Sequence, residues 1–442
     1  MKKGNPLALL PIGVFLILYL GLGLLLEYGM KVPMGFYSVP IVAAFLVAIL
    51  TACLQDRKVS FDEKLEIMGR GVGDKNIITM LLIFLVAGAF VGVVGRSSAQ
   101  SVAYFMLSVI PARYAVAVLF VVSCFISTAM GTSVGTITLL TPIAVEVAGA
   151  STYAPALCVA TVIGGAMFGD NLSLISDTTI AACNGQGCAM KDKFRGNFFI
   201  ALPAALMTLI LILIQTAGES PSSIAHDYDL LLMLPYLLVL IGGIAGVNVF
   251  VVLIGGVISG AVITLVSGNI VPAAGQTVLS QLLTNVGTNM AGMFETCMVA
   301  ILVSALCALI RVNGGFDALL YLIRKVFRGK RGGQLGMGLM VAAMDVATAN
   351  NTVAIVMANP IAKEMSADYG ISPQRTACLL DTFSCIAQGV IPYGAQVLVA
   401  LSAAGEMGCT LSAFEVLPLL YYPMLLLLCS LAAIFLPTKK KG

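Results

Sequence analysis

Apolar residues run in stretches of about twenty along most of the chain, and polar residues gather between the stretches instead of alternating within them. "PLALLPIGVFLILYLGLGLLL" (6–26) and "VLPLLYYPMLLLLCSLAAIFLP" (416–437) are clear cases. As helices rising about 1.5 Å per residue, they cross about 30 Å of hydrocarbon. The pattern predicts an all-α polytopic membrane protein with about 10 transmembrane helices, near 6–26, 36–54, 77–95, 156–182, 197–216, 230–247, 248–267, 291–311, 376–400 and 416–437.

Charge sets the orientation. Lys and Arg cluster at 2–3, 57–75, 191–195, 311–331 and 439–441, and none occurs between Arg195 and Arg311. Basic loops stay cytoplasmic, so both termini are expected there, with 96–111 and the acidic "GESPSSIAHDYD" (218–229) outside. Parity then requires residues 112–148 to enter and leave on one side as a re-entrant hairpin, and the second half does the same at 334–365. Five spans and a hairpin per half make an odd number, so the halves, 1–217 and 218–442, are expected as two inverted-topology repeats. Residues repeat as well: a displacement of 218 lays "TSVGTITLLTPIAVE" (132–146) on "NNTVAIVMANPIAKE" (350–364), and similar displacements pair "FGDNLSLISDTT" with "FSCIAQGVIPYGA" and "GVGDKN" with "NVGTNM". "DRKVSFDEKLEIMGRGVGDK" (56–75) and "GQTVLSQLLTNVGTNM" (275–290) read as matching interfacial helices.

The polar interruptions inside apolar stretches carry the candidate chemistry. Backbone can leave helical geometry in a bilayer only where protein or water satisfies it. The helix near 156–182 is broken by Asp170, Asn171, Ser173, Ser176, Asp177 and Thr178, and its mate near 376–400 contains Asp381, Ser384 and Gln388. The hairpin tips carry Thr132 and Ser133 in one half and Asn350, Asn351 and Thr352 in the other. Helix-end carbonyls, carboxylates and hydroxyls form a hard-oxygen cage suited to Na⁺, with Asp170 and Asp177 as its carboxylates. Four polar elements meeting at one pseudo-symmetric centre suit a secondary transporter. Asp345 and Asp381 fit capping or salt-bridge roles equally well, Glu146 and Glu364 reach for the interface, and Glu295 is placed as a charge partner at a helix start.

Composition narrows the classes. With 59% hydrophobic and 10% charged residues and a net charge of +3, the 442-residue chain is far from a soluble protein and offers no basic surface for nucleic acid. The first apolar stretch, behind Lys2 and Lys3, is too long for a signal peptide and reads as a retained helix. Eleven cysteines lie scattered in apolar runs, only Cys183 and Cys188 are close, and His226 is the only histidine; free buried thiols are expected and no resident metal or other cofactor. Neither a nucleotide-binding glycine pattern nor a nucleophile–base pair points to an enzyme.

At these residues the chain resembles the NhaC-type sodium/proton antiporter family, within a larger ion-transporter group with re-entrant hairpins. "FGDNLSLISDTT" is similar to the family's Gly-Asp-x-x-Ser-x-x-Ser-Asp-Thr-Thr signature, and "DTFSCIAQGVIPYGAQ" (381–396) to its second-half signature. The resemblance covers about 60–436 and implies exchange of Na⁺ for H⁺ by alternating access in a multi-pass cell-membrane protein, of the bacterial inner-membrane type. Some relatives instead move organic acids or amino acids, so a Na⁺- or H⁺-coupled carrier of a small organic solute is the alternative. A homodimer is compatible with either.

Overall fold

The computed structural model describes residues 4–31, 38–56, 59–174, 176–217, 227–245, 247–268, 270, 272 and 275–435. The terminal lysine clusters, His226 and most of the acidic segment 218–229 lie outside them. Among the described residues all regular structure is helical. In the first half the order is α1 (6–29), α2 (Ile41–Gln55), α3 (Phe61–Val72), α4 (Lys75–Val109), α5 (Ala115–Met130), α6 (Ser133–Gly149), α7 (Pro155–Leu172), α8 (Asp177–Gln186) and α9 (Met190–Thr216). The second half continues with α10 (Leu230–Ile244), α11 (Val249–Ser267), α12 (Val278–Gly292), α13 (Phe294–Val312), α14 (Gly315–Val326), α15 (Gly329–Thr348), α16 (Asn351–Asp368), α17 (Pro373–Gln388), α18 (Ala395–Glu406), α19 (Ala413–Val416) and α20 (Tyr421–Phe435).

Length and apolarity alone identify six membrane-crossing helices among the described residues, or seven if the pair Ala413–Leu419 and Tyr421–Phe435, bent by 46°, is one span. The expectation of about ten is larger because three of the expected spans are shorter helices or are cut in two, leaving Ile41–Gln55, Leu230–Gly242 and Ala395–Glu406. One sequence expectation changes. Residues 96–111, read as an external connection, are helical as far as Val109; the chain bends at Gly95 (φ 65°), a left-handed conformation that favours glycine, and continues as helix.

The two segments expected as interfacial helices form α3 and α12, and α12 runs on into the apolar stretch Val278–Val312. Ser60 caps α3 by accepting a hydrogen bond from the Glu63 N–H, and Thr277 caps α12 by accepting one from Ser280. Each packs on a long helix of the other half. Ser304 of α13 donates to the Gly71 carbonyl of α3 at 2.7 Å. Against α12, a Cβ added at Gly88 or Gly92 of α4 would stand 2.7 Å from the carbonyl oxygen of Asn289 or Asn285, so the close approach requires glycine at both positions.

Two helical hairpins lie at the heart of the fold. α5 ends at Gly131 (φ 69°) and α6 starts from its N-cap Thr132; α15 ends at Ala349 (φ 48°) and α16 starts from its N-cap Asn350. These turns sit 218 positions apart, the sequence displacement, as do Pro142 and Pro360 inside the returning arms. Glu146 and Glu364, also 218 apart, each hold an arginine: Arg96 at 2.5 Å and Arg324 at 2.6 Å. The bridge from Arg96, just past the Gly95 bend, ties α4 to α6, while Arg324 of α14 also pairs with Asp368. Between α5 and α7 the packing is close enough that Ser127 Oγ donates to the Ala166 carbonyl at 2.6 Å.

Candidate functional site

Both broken helices are present. α7 stops at Leu172 and α8 starts at Asp177; α17 stops at Gln388 and α18 starts at Ala395. Ser176 makes the first break by capping α8: its hydroxyl accepts from Thr179 N–H at 3.2 Å and donates to the Asp170 carbonyl at 3.1 Å. Thr179 Oγ1 donates to the Ser173 carbonyl at 2.9 Å. The Asn171 carbonyl accepts from Lys193 Nζ (2.9 Å) and Asn197 Nδ2 (3.1 Å). Protein donors therefore already satisfy the helix-end carbonyls that the sequence suggested for a cation, as a low-dielectric interior requires.

What remains is a cavity of about 60 Å³ between the breaks and the hairpin tips. Asp170, Asp177, Thr178, Thr132, Ser133, Asn350, Asn351, Thr352 and Gln388 all line it. Asp170 is buried, and its Oδ1 accepts from the Ser133 backbone N–H at 3.1 Å, so the first tip is docked on the first break. Asp177, the opening residue of α8, is exposed and borders the same cavity. Across it, Asn350 caps α16 by accepting from Val353 N–H at 3.0 Å and donates to Met80 Sδ at 3.0 Å. Gln396 was not anticipated. It lines the cavity, donates through Nε2 to Ser133 Oγ at 2.8 Å, and leaves its Oε1 without a hydrogen-bond partner.

Five expected residues do not line the cavity. Ser173 and Ser176 shape the break. Asn171 points into the packing of α7, α17 and α20, donating to Met167 O, Cys385 Sγ and Tyr422 Oη. Ser384 Oγ donates to the Asp381 carbonyl within its own helix. Asp381 is the most informative departure. It is buried against Lys193 of α9, with Nζ 2.7 Å from Oδ2, and the same oxygen accepts from Asn197 Nδ2 at 2.7 Å. Sequence reading left Lys193 in a cytoplasmic basic cluster and expected no cation near the site. The residue is fully buried, and it also donates to Thr179 Oγ1 at 2.7 Å. A hint was available: 191–195 runs straight into the apolar helix 197–216, so a lysine there can turn inward from the first turns of that helix.

No metal-binding group of three or more His, Cys, Asp or Glu occurs among the described residues. A transported cation would rest on carboxylate, hydroxyl and amide oxygens instead, a donor set that suits Na⁺. The eleven cysteines are free, as the sequence suggested, but only six of them are buried and the other five are half-buried.

A family model described as "Na+/H+ antiporter family" matches residues 16–216 and 226–436. An uncharacterized protein of Haemophilus influenzae is 31% identical over 180 residues, which is 40% of this chain and 33% of that protein, so the chain matches only about a third of that relative's length. Among solved structures, the Alcanivorax borkumensis YdaH transporter aligns with a TM-score of 0.44 at 16% identity, over 85% of this chain and 89% of that one.

Proposed function

Because the chain belongs to the Na⁺/H⁺ antiporter family, and is with it a multi-pass membrane transporter, we propose that it exchanges Na⁺ for H⁺ at Asp170, by alternating access of the cavity to the two membrane faces. One observation carries this reading. Asp170 is a buried carboxylate, it opens on a cavity lined by hydroxyl and amide groups, and no cationic side chain pairs with it among the described residues. The one fully buried lysine nearby is held by Asp381. A buried carboxylate without a counter-charge is stable only with a bound cation or a proton, and the two compete for the same oxygens. That competition suffices for exchange.

In this scheme Asp170 and Asp177 supply charge, while Thr132, Ser133, Asn350, Asn351, Thr352 and Gln396 supply neutral oxygens, and Gln388 closes the cavity wall from its bond to Asp345. A volume of about 60 Å³ accommodates a cation with a few waters. The two halves act as inverted repeats, supported by the tips, the helix prolines and Glu146 and Glu364 recurring at one displacement. The hairpins and broken helices move together against a scaffold that includes α4, α11 and α13. Lys193 does not serve an anionic solute here, since its ammonium is taken by protein acceptors.

The test uses purified protein in liposomes holding a pH-sensitive dye. An imposed Na⁺ gradient is expected to move protons with no organic solute present, and Asp170→Asn to abolish the movement. Proton movement that appears only when an amino acid or organic acid is added refutes exchange.

A further inference from the structure

Asp345 stands apart from the cavity carboxylates. It lies on α15 one turn before the tip, is completely buried, and through its backbone carbonyl accepts the Ala349 N–H at 2.7 Å. Its Oδ1 accepts from Gln388 Nε2 at 2.9 Å, and its Oδ2 has no partner. Gln388 Oε1, the other end of that amide, has none either. The titratable groups near it are Tyr393, whose hydroxyl donates to the Val346 carbonyl at 2.7 Å, Cys385 of α17, and Cys307 of α13, whose thiol donates to the Ala347 carbonyl at 3.5 Å. No Lys or Arg pairs with it among the described residues.

An ionised Asp345 would be doubly unfavourable there. The charge loses its hydration without gaining a counter-ion, and two acceptor oxygens on facing groups are left without a donor. One proton removes both problems. With Oδ2 protonated, a carboxylic acid and a primary amide can pair through two hydrogen bonds: N–H to Oδ1, already present, and O–H to Oε1, joining the two atoms now without partners. Gly394 leaves room for the amide, since an added Cβ there would stand 2.5 Å from Oε1.

We propose that Asp345 is a second proton-binding site of this transporter, holding its proton in a two-bond pair with Gln388. Gln388 also lines the cavity, so the pair links the tip of the second hairpin to the space that Asp170 faces. Loss of the proton to cavity water frees Oε1 and leaves the tip negatively charged, which gives the hairpin a means of responding to pH separate from the cation site. Only this transport consequence rests on the exchange reading; the presence of the proton does not.

Infrared spectroscopy of the purified full-length protein in lipid tests the idea. The cavity carboxyl Asp170 also carries a proton when no Na⁺ is bound, so the measurement is made in an Asp170→Asn background, which at neutral pH is expected to show the C=O stretch of a protonated carboxyl. Adding Asp345→Asn, whose amide can still make both bonds to Gln388, should remove that band. Adding Gln388→Leu should move it to higher wavenumber, because the O–H loses its acceptor. An Asp170→Asn protein without the band, or one whose band survives the added Asp345→Asn, overturns the proposal. If Asp345→Asn does not fold, an unshifted band in Gln388→Leu overturns it. Liposomes that show no Na⁺-driven proton movement while the band behaves as expected would sink the exchange reading alone; active liposomes without the band would sink this one alone.

Discussion

Replacing Lys193 by Met should destabilise the protein strongly, and a second substitution at Asp381 should undo most of the loss. Met keeps the apolar stem and removes Nζ, which lies 2.7 Å from Asp381 Oδ2, 2.9 Å from the Asn171 carbonyl and 2.7 Å from Thr179 Oγ1. The two neutral acceptors lose little: the Asn171 carbonyl keeps Asn197 Nδ2 at 3.1 Å, and Thr179 still bonds to the Ser173 carbonyl. The main cost falls on Asp381, which is 2% exposed and retains Asn197 Nδ2 at 2.7 Å as its nearest donor. Removing one partner of a buried ion pair costs about 3–5 kcal/mol, whereas replacing both with apolar groups is close to neutral or better. Lys193→Met should therefore lose about 4 kcal/mol, and Lys193→Met/Asp381→Leu should return to within about 1 kcal/mol of the wild type. The assay is reversible unfolding in mixed detergent micelles, followed by far-ultraviolet circular dichroism on the wild type, both single variants and the double variant. A single-variant loss below about 1 kcal/mol, or a double variant as damaged as the two singles combined, refutes the claim that an uncompensated buried charge is the source.

At the cation site, apparent Na⁺ affinity in the wild type should fall about tenfold per pH unit below the ion-free pKa of the exchanging carboxyl, since proton and Na⁺ exclude one another there; calorimetric titration across pH checks this, and Asp170→Asn should bind Na⁺ weakly with no such dependence. Thr132→Ala and Asn350→Ala, at the two tips, should weaken Na⁺ binding by more than their loss of a helix cap, about 1 kcal/mol, changes the unfolding free energy; unchanged affinity in both variants would remove the tips from the site. At the hairpin turns, Ala349→Gly should stabilise the protein by about 1 kcal/mol because Ala349 has φ 48°, and Gly131→Ala (φ 69°) should cost about 1–2 kcal/mol, both measured by the same unfolding assay.

Most of the architecture was legible because a bilayer leaves backbone few options. Hydrophobic runs gave most of the helices, and each segment expected as a hairpin, 112–148 and 334–365, contains a turn between two helices, at Gly131 and Ala349. The breaks were legible because Asp, Asn and Ser inside an apolar run signal backbone that something polar must satisfy. Which of those residues face the cavity was not legible, because it depends on rotation about the helix axis. Asn171 follows Asp170 directly yet turns to Tyr422, 251 positions away in the chain. Lys193 was missed because a lysine beside a span is normally drawn out to water, and the carboxylate that pairs with it inside comes from the other half of the chain. The helical continuation past Gly95 was hidden because a glycine followed by Arg and Ser reads as the end of a span.

The two halves are laced together crosswise. Gln186, at the end of α8, donates to Asn359 Oδ1 of α16 at 2.9 Å, and Asn359 returns a bond to the Ala181 carbonyl at 2.8 Å; Gln396 at the start of α18 does the same office for Ser133 of α6 at 2.8 Å. Each broken span thus carries the returning hairpin arm of the other half of the chain. A chain cut between the halves and expressed as two fragments should regain its cavity only when both fragments meet, since each half supplies part of the lining. Substitutions in this lacing will show their effects across the two halves, so that a change at Gln186 is best rescued by one at Asn359 and not by any neighbour in its own half.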